Sequence, residues 1–313
     1  MTNLSEFTFL SSDGKTQLHG MLWEPEGVAV RAVLQICHGV AEHIARYDGF
    51  ARALNEQGIV VAGHDHLGHG KSLPEDGTPV YFGEGNTWNT VVDDIYILHQ
   101  RLKHRYPDVP LCIMGHSMGS FLTRTYLIRY PGTVKAAVIM GTGWQPRAAI
   151  TGGLALANAI AAVSGENATS ELVTELAFGS YNKLFAPNRT KVDWLSADES
   201  NVDDYIADPL CGADATVGLF RQMLHGIRFN QRQSHLRQMD REMPVLFVAG
   251  DKDPVGSCGK GVRQTYDAFR AAGMRDCTLK LYPGLRHEIL NEKAYTADIT
   301  KNIEAWLLSR LEK

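Results

Sequence analysis

The chain has 313 residues, of which 44% are hydrophobic and 21% charged, with a formal net charge of −4. A chain this long buries roughly 75% of the surface its unfolded form exposes, so it carries one large domain or one domain with an insertion. The mild acidity and the lack of any long block of like charge exclude a nucleic-acid footprint.

The N-terminus, Met1 to Leu10, lacks the basic start and apolar stretch of a secretory signal. No apolar run approaches the roughly 20 residues that span a bilayer. The best candidate, residues 148–163, is short and made mostly of Ala and Gly. The cysteines are Cys37, Cys112, Cys211, Cys258 and Cys277. An odd number with no pairs at metal-ligand spacing argues against a disulfide framework or a zinc site. A reducing, cytoplasmic compartment is the expectation.

Residues 8–10 and 18–23 flank the turn cluster Ser11-Ser12-Asp13-Gly14 and predict an antiparallel strand pair. A helix over 47–57, closing at Gly58, separates apolar runs at 32–37 and 59–62. A second helix, 87–105, stops ahead of Tyr106-Pro107. Further apolar runs follow at 111–114, 134–140, 245–249 and 278–281, with helices at 117–130, 262–272 and 296–311. From residue 32 onward the runs are continuous rather than alternating, which suits strands buried on both faces of a parallel sheet. The alternation of strand and helix predicts an α/β architecture with right-handed crossovers. One interval breaks the rhythm. Between Gly141 and Pro244 the chain is far longer than a plain crossover needs, and it carries helical patterning without a strand run. We read residues 144–225 as a helical cap inserted into a core of residues 1–143 and 226–313.

The strongest chemical signal is Gly115-His116-Ser117-Met118-Gly119, which follows a strand and opens a helix. That is the context of the G-x-S-x-G nucleophile elbow, whose glycines admit neighbouring backbone and whose helix N-terminus lies under the reacting oxygen. A serine hydroxyl needs a base, and the base needs an orienting acid. With such an elbow the chain order is Ser, acid, His. Both Asp251 and Asp253 follow the run 245–249. Asp253 is preferred because Pro254 fixes the turn after it, while Asp251 suits a turn-forming role. His287 lies after the last run and is the only histidine beyond His235. An oxyanion hole needs two backbone N–H donors. Met118, after the nucleophile, supplies one. Val40, in His38-Gly39-Val40-Ala41-Glu42-His43, supplies the other.

Three segments carry a resemblance: His38-Gly39-x-x-Glu42-His43 with Arg46-Tyr47, Asp65-His66-x-Gly68-His69-Gly70-x-Ser72, and the Gly-His-Ser-Met-Gly elbow. Together they resemble the monoacylglycerol lipase and lysophospholipase branch of the α/β-hydrolases, which is also grouped with serine aminopeptidases. The resemblance covers most of the chain outside the cap. It implies an α/β-hydrolase fold with a mostly parallel eight-stranded sheet flanked by helices, and a helical cap over the serine. It also implies hydrolysis of single-chain acyl esters such as a monoacylglycerol or lysophospholipid. At the matching positions it gives Ser117, Asp253 and His287 as the triad, and Val40 and Met118 as the oxyanion hole. No cofactor or metal is required.

Ile150, Leu154, Phe178, Leu184 and Phe185 in the insertion are candidates for lining an acyl pocket. An amphipathic cap helix could also make transient contact with a membrane surface. A peptidase or amidase using the same triad would need an acidic group near the cap, for which Glu166, Glu171 and Glu175 are available. A non-catalytic binding protein on this fold is a third reading. His64-Asp65-His66-Leu67-Gly68-His69 looks like a metal-ligand cluster but is expected to be a hydrogen-bonded loop. Gly68-His69-Gly70-Lys71-Ser72 fails as a P-loop, because Asp65 stands where a glycine is required. Asp93 and Asp94 are expected on a solvated helix face, although one could hold a loop near the site; Cys258 is expected as an inert buried Cys, with a thiol near the pocket as the alternative.

Overall fold

A computed structural model describes residues 1–311. Its strands are β1 (Thr2–Leu10), β2 (Gln17–Pro25), β3 (Ala32–Cys37), β4 (Ile59–His64), β5 (Leu111–His116), β6 (Ala136–Met140), β7 (Val245–Gly250) and β8 (Cys277–Tyr282). They form one eight-stranded sheet in the order β1-β2-β4-β3-β5-β6-β7-β8. β2 runs antiparallel to β1 and β4, and the other pairs are parallel. β1 begins well before the expected residue 8. It is an edge strand with mostly exposed side chains, so it has no apolar run to betray it.

The helices are α1 (Asp48–Asn55), α2 (Thr87–Arg105) and α3 (Met118–Arg129), then, between β6 and β7, α4 (Arg147–Ser164), α5 (Glu171–Thr174), α6 (Ser180–Lys183), α7 (Glu199–Ala207), α8 (Val217–Asn230) and α9 (Gln233–Leu236). α10 (Lys260–Ala271) and α11 (Thr296–Leu311) complete the set. Successive strand side chains point to opposite faces. Leu34, Ile36, Val61 and Val138 therefore pack with Phe50 and Leu54 of α1 and with Ile299 and Ile303 of α11. Val33, Val60, Ile113 and Phe247 pack on the other face, with Val91 and Ile95 of α2, Leu122 of α3 and Phe269 of α10. Both faces are covered, which is why the central strands read as continuous apolar runs.

α4 packs on α8, and α8 packs on α3 and α2. Gly153 allows the first approach, since a Cβ there would lie 2.9 Å from Leu224 Cδ1. Gly226 allows the second, because a Cβ there would overlap the Trp88 indole. The expected boundary at residue 225 thus falls inside α8, which runs on to Asn230. α4 buries only Ile150, Leu154 and Ala157. By length and composition it is apolar enough to cross a membrane, and few of its residues are buried. It contains the Ala- and Gly-rich stretch that the sequence singles out at 148–163.

Two acidic residues hold the N-terminal strands in place. Asp94 does not lie on a solvated face, as its sequence position suggested. It is fully buried on α2 and accepts from Ser11 Oγ at 2.9 Å and Ser12 N at 2.6 Å. Burial raises its pKa to about 6 despite those donors. Asp93 is the partly exposed neighbour and pairs with Arg129 at 2.8 Å. Asp65, at the end of β4, accepts from His19 Nδ1 at 2.9 Å, Ile44 N at 2.8 Å and Lys71 N at 2.9 Å. Gly70 makes room for it, since a Cβ there would lie 2.5 Å from Asp65 Cγ. The phosphate-loop-like glycine thus serves a carboxylate clamp, and Lys71 Nζ pairs with Glu6 at 3.0 Å.

Burial works to raise the Asp65 pKa, but the donors around it, His19 first, hold it down at about 2. The folded state therefore resists protonation more than the unfolded state, whose Asp titrates near 3.8. The contribution of Asp65 is complete above 3.8 and is lost as pH falls through about 2. The urea midpoint of the wild type should drop across that window. D65N should be less stable at neutral pH and show a smaller drop; equal acid sensitivity in the two proteins would contradict this role.

Candidate active site

Ser117 joins β5 to α3 with φ 54° and ψ −121°. Left-handed backbone at a non-glycine residue costs on the order of 1–3 kcal/mol and needs surrounding contacts to hold it. The Ser117 N–H donates to Met140 O at 3.1 Å, fixing the turn to β6. A Cβ at Gly119 would overlap the carbonyl oxygens of Cys37 and His38, and one at Gly115 would overlap Gly119 O and Thr123 Oγ1. The elbow glycines therefore let the turn press against the end of β3. Gly39 completes the contact, since a Cβ there would lie 3.1 Å from Ser117 Cβ.

The Gly39 N–H donates to Glu42 Oε1 at 2.5 Å and so is already used. Among the described residues, neither the Val40 N–H nor the Met118 N–H has a protein acceptor. Met118 opens α3, where helical N–H groups have no intrahelical partner. Ala41 is held at φ 53°, and its carbonyl accepts from Gly212 N at 3.0 Å and Tyr205 Oη at 3.1 Å.

His287 and Asp253 are both buried, with His287 Nδ1 3.0 Å from Asp253 Oδ1. The same oxygen accepts from Val255 N at 2.9 Å. Asp251 instead accepts from Gly284 N at 2.8 Å and shapes the turn before His287. The His287 ring lies 4.7 Å from the His116 ring and 5.1 Å from the Trp194 ring, centroid to centroid. Trp194 belongs to an aromatic wall with Tyr181 at 5.3 Å and Phe178 at 6.2 Å, and Phe220 lies 5.4 Å from Phe178. Burial, reinforced by the Asp253 charge, raises the Tyr181 pKa to about 12, so the wall stays uncharged.

A buried charge network backs the site. Glu42 accepts from Gly39 N, from Arg46 Nη1 at 2.9 Å and from Tyr47 Oη at 3.0 Å, and lies 3.2 Å from His116 Nδ1. Arg46 also grips Glu288, the residue after His287, through two bonds of 2.7 and 2.8 Å. Asn201 of α7 donates to Glu288 at 2.8 Å. His116 Nε2 lies 3.3 Å from the His287 carbonyl oxygen. Burial opposes ionisation of Glu42, but His116 and Arg46 overcome it and hold its pKa well below the ordinary value. A cavity of about 300 Å³ borders the network, lined by Glu42, Arg46, His116 and Glu288 together with Phe50 and Met140.

The candidate pocket residues divide. Ile150 and Leu154 are buried in the same apolar cluster as Met118, and Phe178 stands in the aromatic wall. Phe185 lies under the Arg286 guanidinium at 4.1 Å. Leu184 is 61% exposed. The histidine loop behaves as a structural loop. His66 N donates to His38 Nε2 at 3.0 Å, and burial keeps His64 and His69 neutral with pKa values near 3. Sequence reasoning missed Trp194, Glu288 and the roles of Glu42 and Arg46. Glu42 and Arg46 stood inside a quoted motif, but their partner lies at the far end of the chain.

The sheet order and the strained serine at a strand–helix turn define an α/β-hydrolase. A family model described as "Serine aminopeptidase, S33" matches residues 28–294, and the chain belongs to that family. It is similar to the monoacylglycerol lipase of Mycolicibacterium smegmatis (strain ATCC 700084 / mc(2)155), at 30% identity over 98% of each chain. It is also similar to the monoglyceride lipase of Mus musculus, at 27% identity over 96% of this chain and 90% of that one. Among solved structures, a thermostable carboxyl esterase from Bacillus coagulans in complex with glycerol superposes with a TM-score of 0.92. That match has 26% identity and covers 99% of this chain and all of the other. The protein is a serine hydrolase of the lipase and esterase class, in the branch that contains the monoacylglycerol lipases.

Removing one partner of a buried ion network leaves the others uncompensated. E42A should therefore lower stability by on the order of 3 kcal/mol in chemical denaturation. A loss below about 1 kcal/mol, typical of a surface pair, would contradict the network's role.

Proposed function

We propose that the protein hydrolyses single-chain acyl esters, monoacylglycerols or lysophospholipids, with Ser117 as nucleophile, His287 as base and Asp253 as orienting acid. The observation that carries this reading is the buried His287–Asp253 pair, at 3.0 Å, in a molecule whose elbow serine is strained and packed against the loop bearing Val40. Asp253 on Nδ1 leaves Nε2 of His287 to take the Ser117 proton and to hand it to the leaving alcohol. The unoccupied N–H groups of Val40 and Met118 are the donors for the oxyanion. Water, deprotonated by His287, then releases the acid from the acyl-enzyme.

The helices of residues 144–225, with the remainder of α8, serve as the cap. Ile150, Leu154 and the wall of Phe178, Tyr181, Trp194 and Phe220 form an uncharged lining suited to an acyl chain. The peptidase reading has less support. Glu166 is paired with Arg221 at 2.6 Å and Glu175 with Lys183 at 2.7 Å, so two of the three candidate amine receptors already hold cations. The cap's outer side exposes Val163 at 88%, Leu172 at 55%, Leu176 at 65% and Leu184 at 61%. Beside the exposed apolar flank of α4, these residues suit transient contact with a lipid surface.

S117A should lower kcat on a monoacylglycerol by about 10⁴-fold or more and abolish fluorophosphonate labelling. Retained turnover would sink the nucleophile assignment, and faster cleavage of aminoacyl amides than of acyl esters would favour the peptidase. Separately, L172S/L176S should co-sediment less with phosphatidylcholine vesicles while turning over a short soluble ester as the wild type does. Undiminished vesicle binding would remove this face of the cap as the contact.

A further inference from the structure

The turn that ends α7 meets the loop carrying Val40 along a seam, and three potential metal ligands face one another there. They are His43, Asp208 and Cys211, whose donor atoms all lie within 4.8 Å of one another. His43 follows Glu42 and is buried, with Nε2 2.8 Å from Asp208 Oδ2. Asp208 and Cys211 are three residues apart in one turn, closed by Cys211 N donating to Asp208 O at 3.0 Å. The seam is already stitched beside them, because Gly212 N and Tyr205 Oη both donate to Ala41 O.

We propose that His43, Asp208 and Cys211 bind a thiophilic divalent cation of the zinc class, and that its occupancy staples the α7 turn to the Val40 loop and slows turnover. One imidazole, one carboxylate and one thiolate make the mixed donor set that zinc and cobalt accept, with water in the fourth position. Bonds of about 2.0–2.3 Å to a tetrahedral ion place donor atoms roughly 3.3–3.6 Å apart. Here His43 Nε2 and Asp208 Oδ2 are 2.8 Å apart and all three donors lie within 4.8 Å, so an ion would part the first two and draw in the third. The charges balance: a dication, a carboxylate, a thiolate and a neutral imidazole sum to zero, which suits a half-buried seam. Spacing in sequence concealed the set, because His43 lies in the loop after β3 and its partners follow α7.

The probe is Co2+ added to metal-free protein, followed by displacement with Zn2+. One equivalent of Co2+ should give the visible bands of tetrahedral cobalt and a near-ultraviolet thiolate-to-metal band, both removed by Zn2+. C211S should lose the thiolate band and bind Zn2+ about tenfold or more weakly, and D208N should weaken binding likewise. Zn2+ should lower ester turnover of the wild type in step with occupancy, and should leave C211S, whose basal turnover is unchanged, unaffected. A missing thiolate band, or equal Zn2+ affinity in the wild type and both variants, would overturn the site. Stoichiometric binding with no change in turnover would overturn the staple. The effect on turnover rests on the ester-hydrolase reading; the cobalt spectrum does not, so the two fail separately.

Discussion

The structure turns on one buried cation. Arg46 lies between Glu42 and Glu288 and holds both at hydrogen-bond distance. Taking three charged groups out of water is costly, and the attraction among them offsets that cost only when the remaining donors and acceptors are satisfied. Here they are: Gly39, Tyr47 and His116 complete Glu42, while Asn201 and Asn291 complete Glu288. Such a network is a poor source of stability relative to an apolar core. Its effect is positional. Glu42 lies in the loop after β3 and Glu288 adjoins His287, so Arg46 joins the candidate oxyanion loop to the candidate base.

That joining explains how strain survives at two neighbouring points. Ser117 and Ala41 both hold positive φ without being glycine. Either would relax if its surroundings were soft. Ser117 is fixed by the Met140 carbonyl and by close backbone approach at Gly115 and Gly119. Ala41 is fixed from the cap side by Tyr205 and Gly212. Gly39, close to Ser117, gives its N–H to Glu42, while the Val40 N–H beside it has no protein acceptor among the described residues. Conformational strain, donor geometry and ion pairing therefore meet where the loop after β3 packs against the β5–α3 turn.

Much of this was legible in the sequence, for identifiable reasons. The central strands are buried on both faces, so their apolar runs stand out; β1 has one exposed face at the sheet edge, and its start was missed. The elbow, Asp253 and His287 follow the chain order that accompanies a nucleophile elbow, and the structure brings the last two to 3.0 Å. Asp94 was misread because adjacent acids on a helix look solvated, and nothing local shows that Ser11 and Ser12 will bury one of them. Arg46–Glu288 and Trp194–His287 were illegible for the same reason: each joins segments whose proximity is a product of the whole fold.

The consecutive residues Glu42 and His43 tie the loop to two different parts of the fold. Glu42 faces inward to Arg46 and His116, and His43 faces Asp208 beyond α7. Gly39 is held by Glu42, and Ala41 by Tyr205 and Gly212. Val40 lies between these two anchors, so its backbone orientation is set jointly by the ion network and by the turn that ends α7.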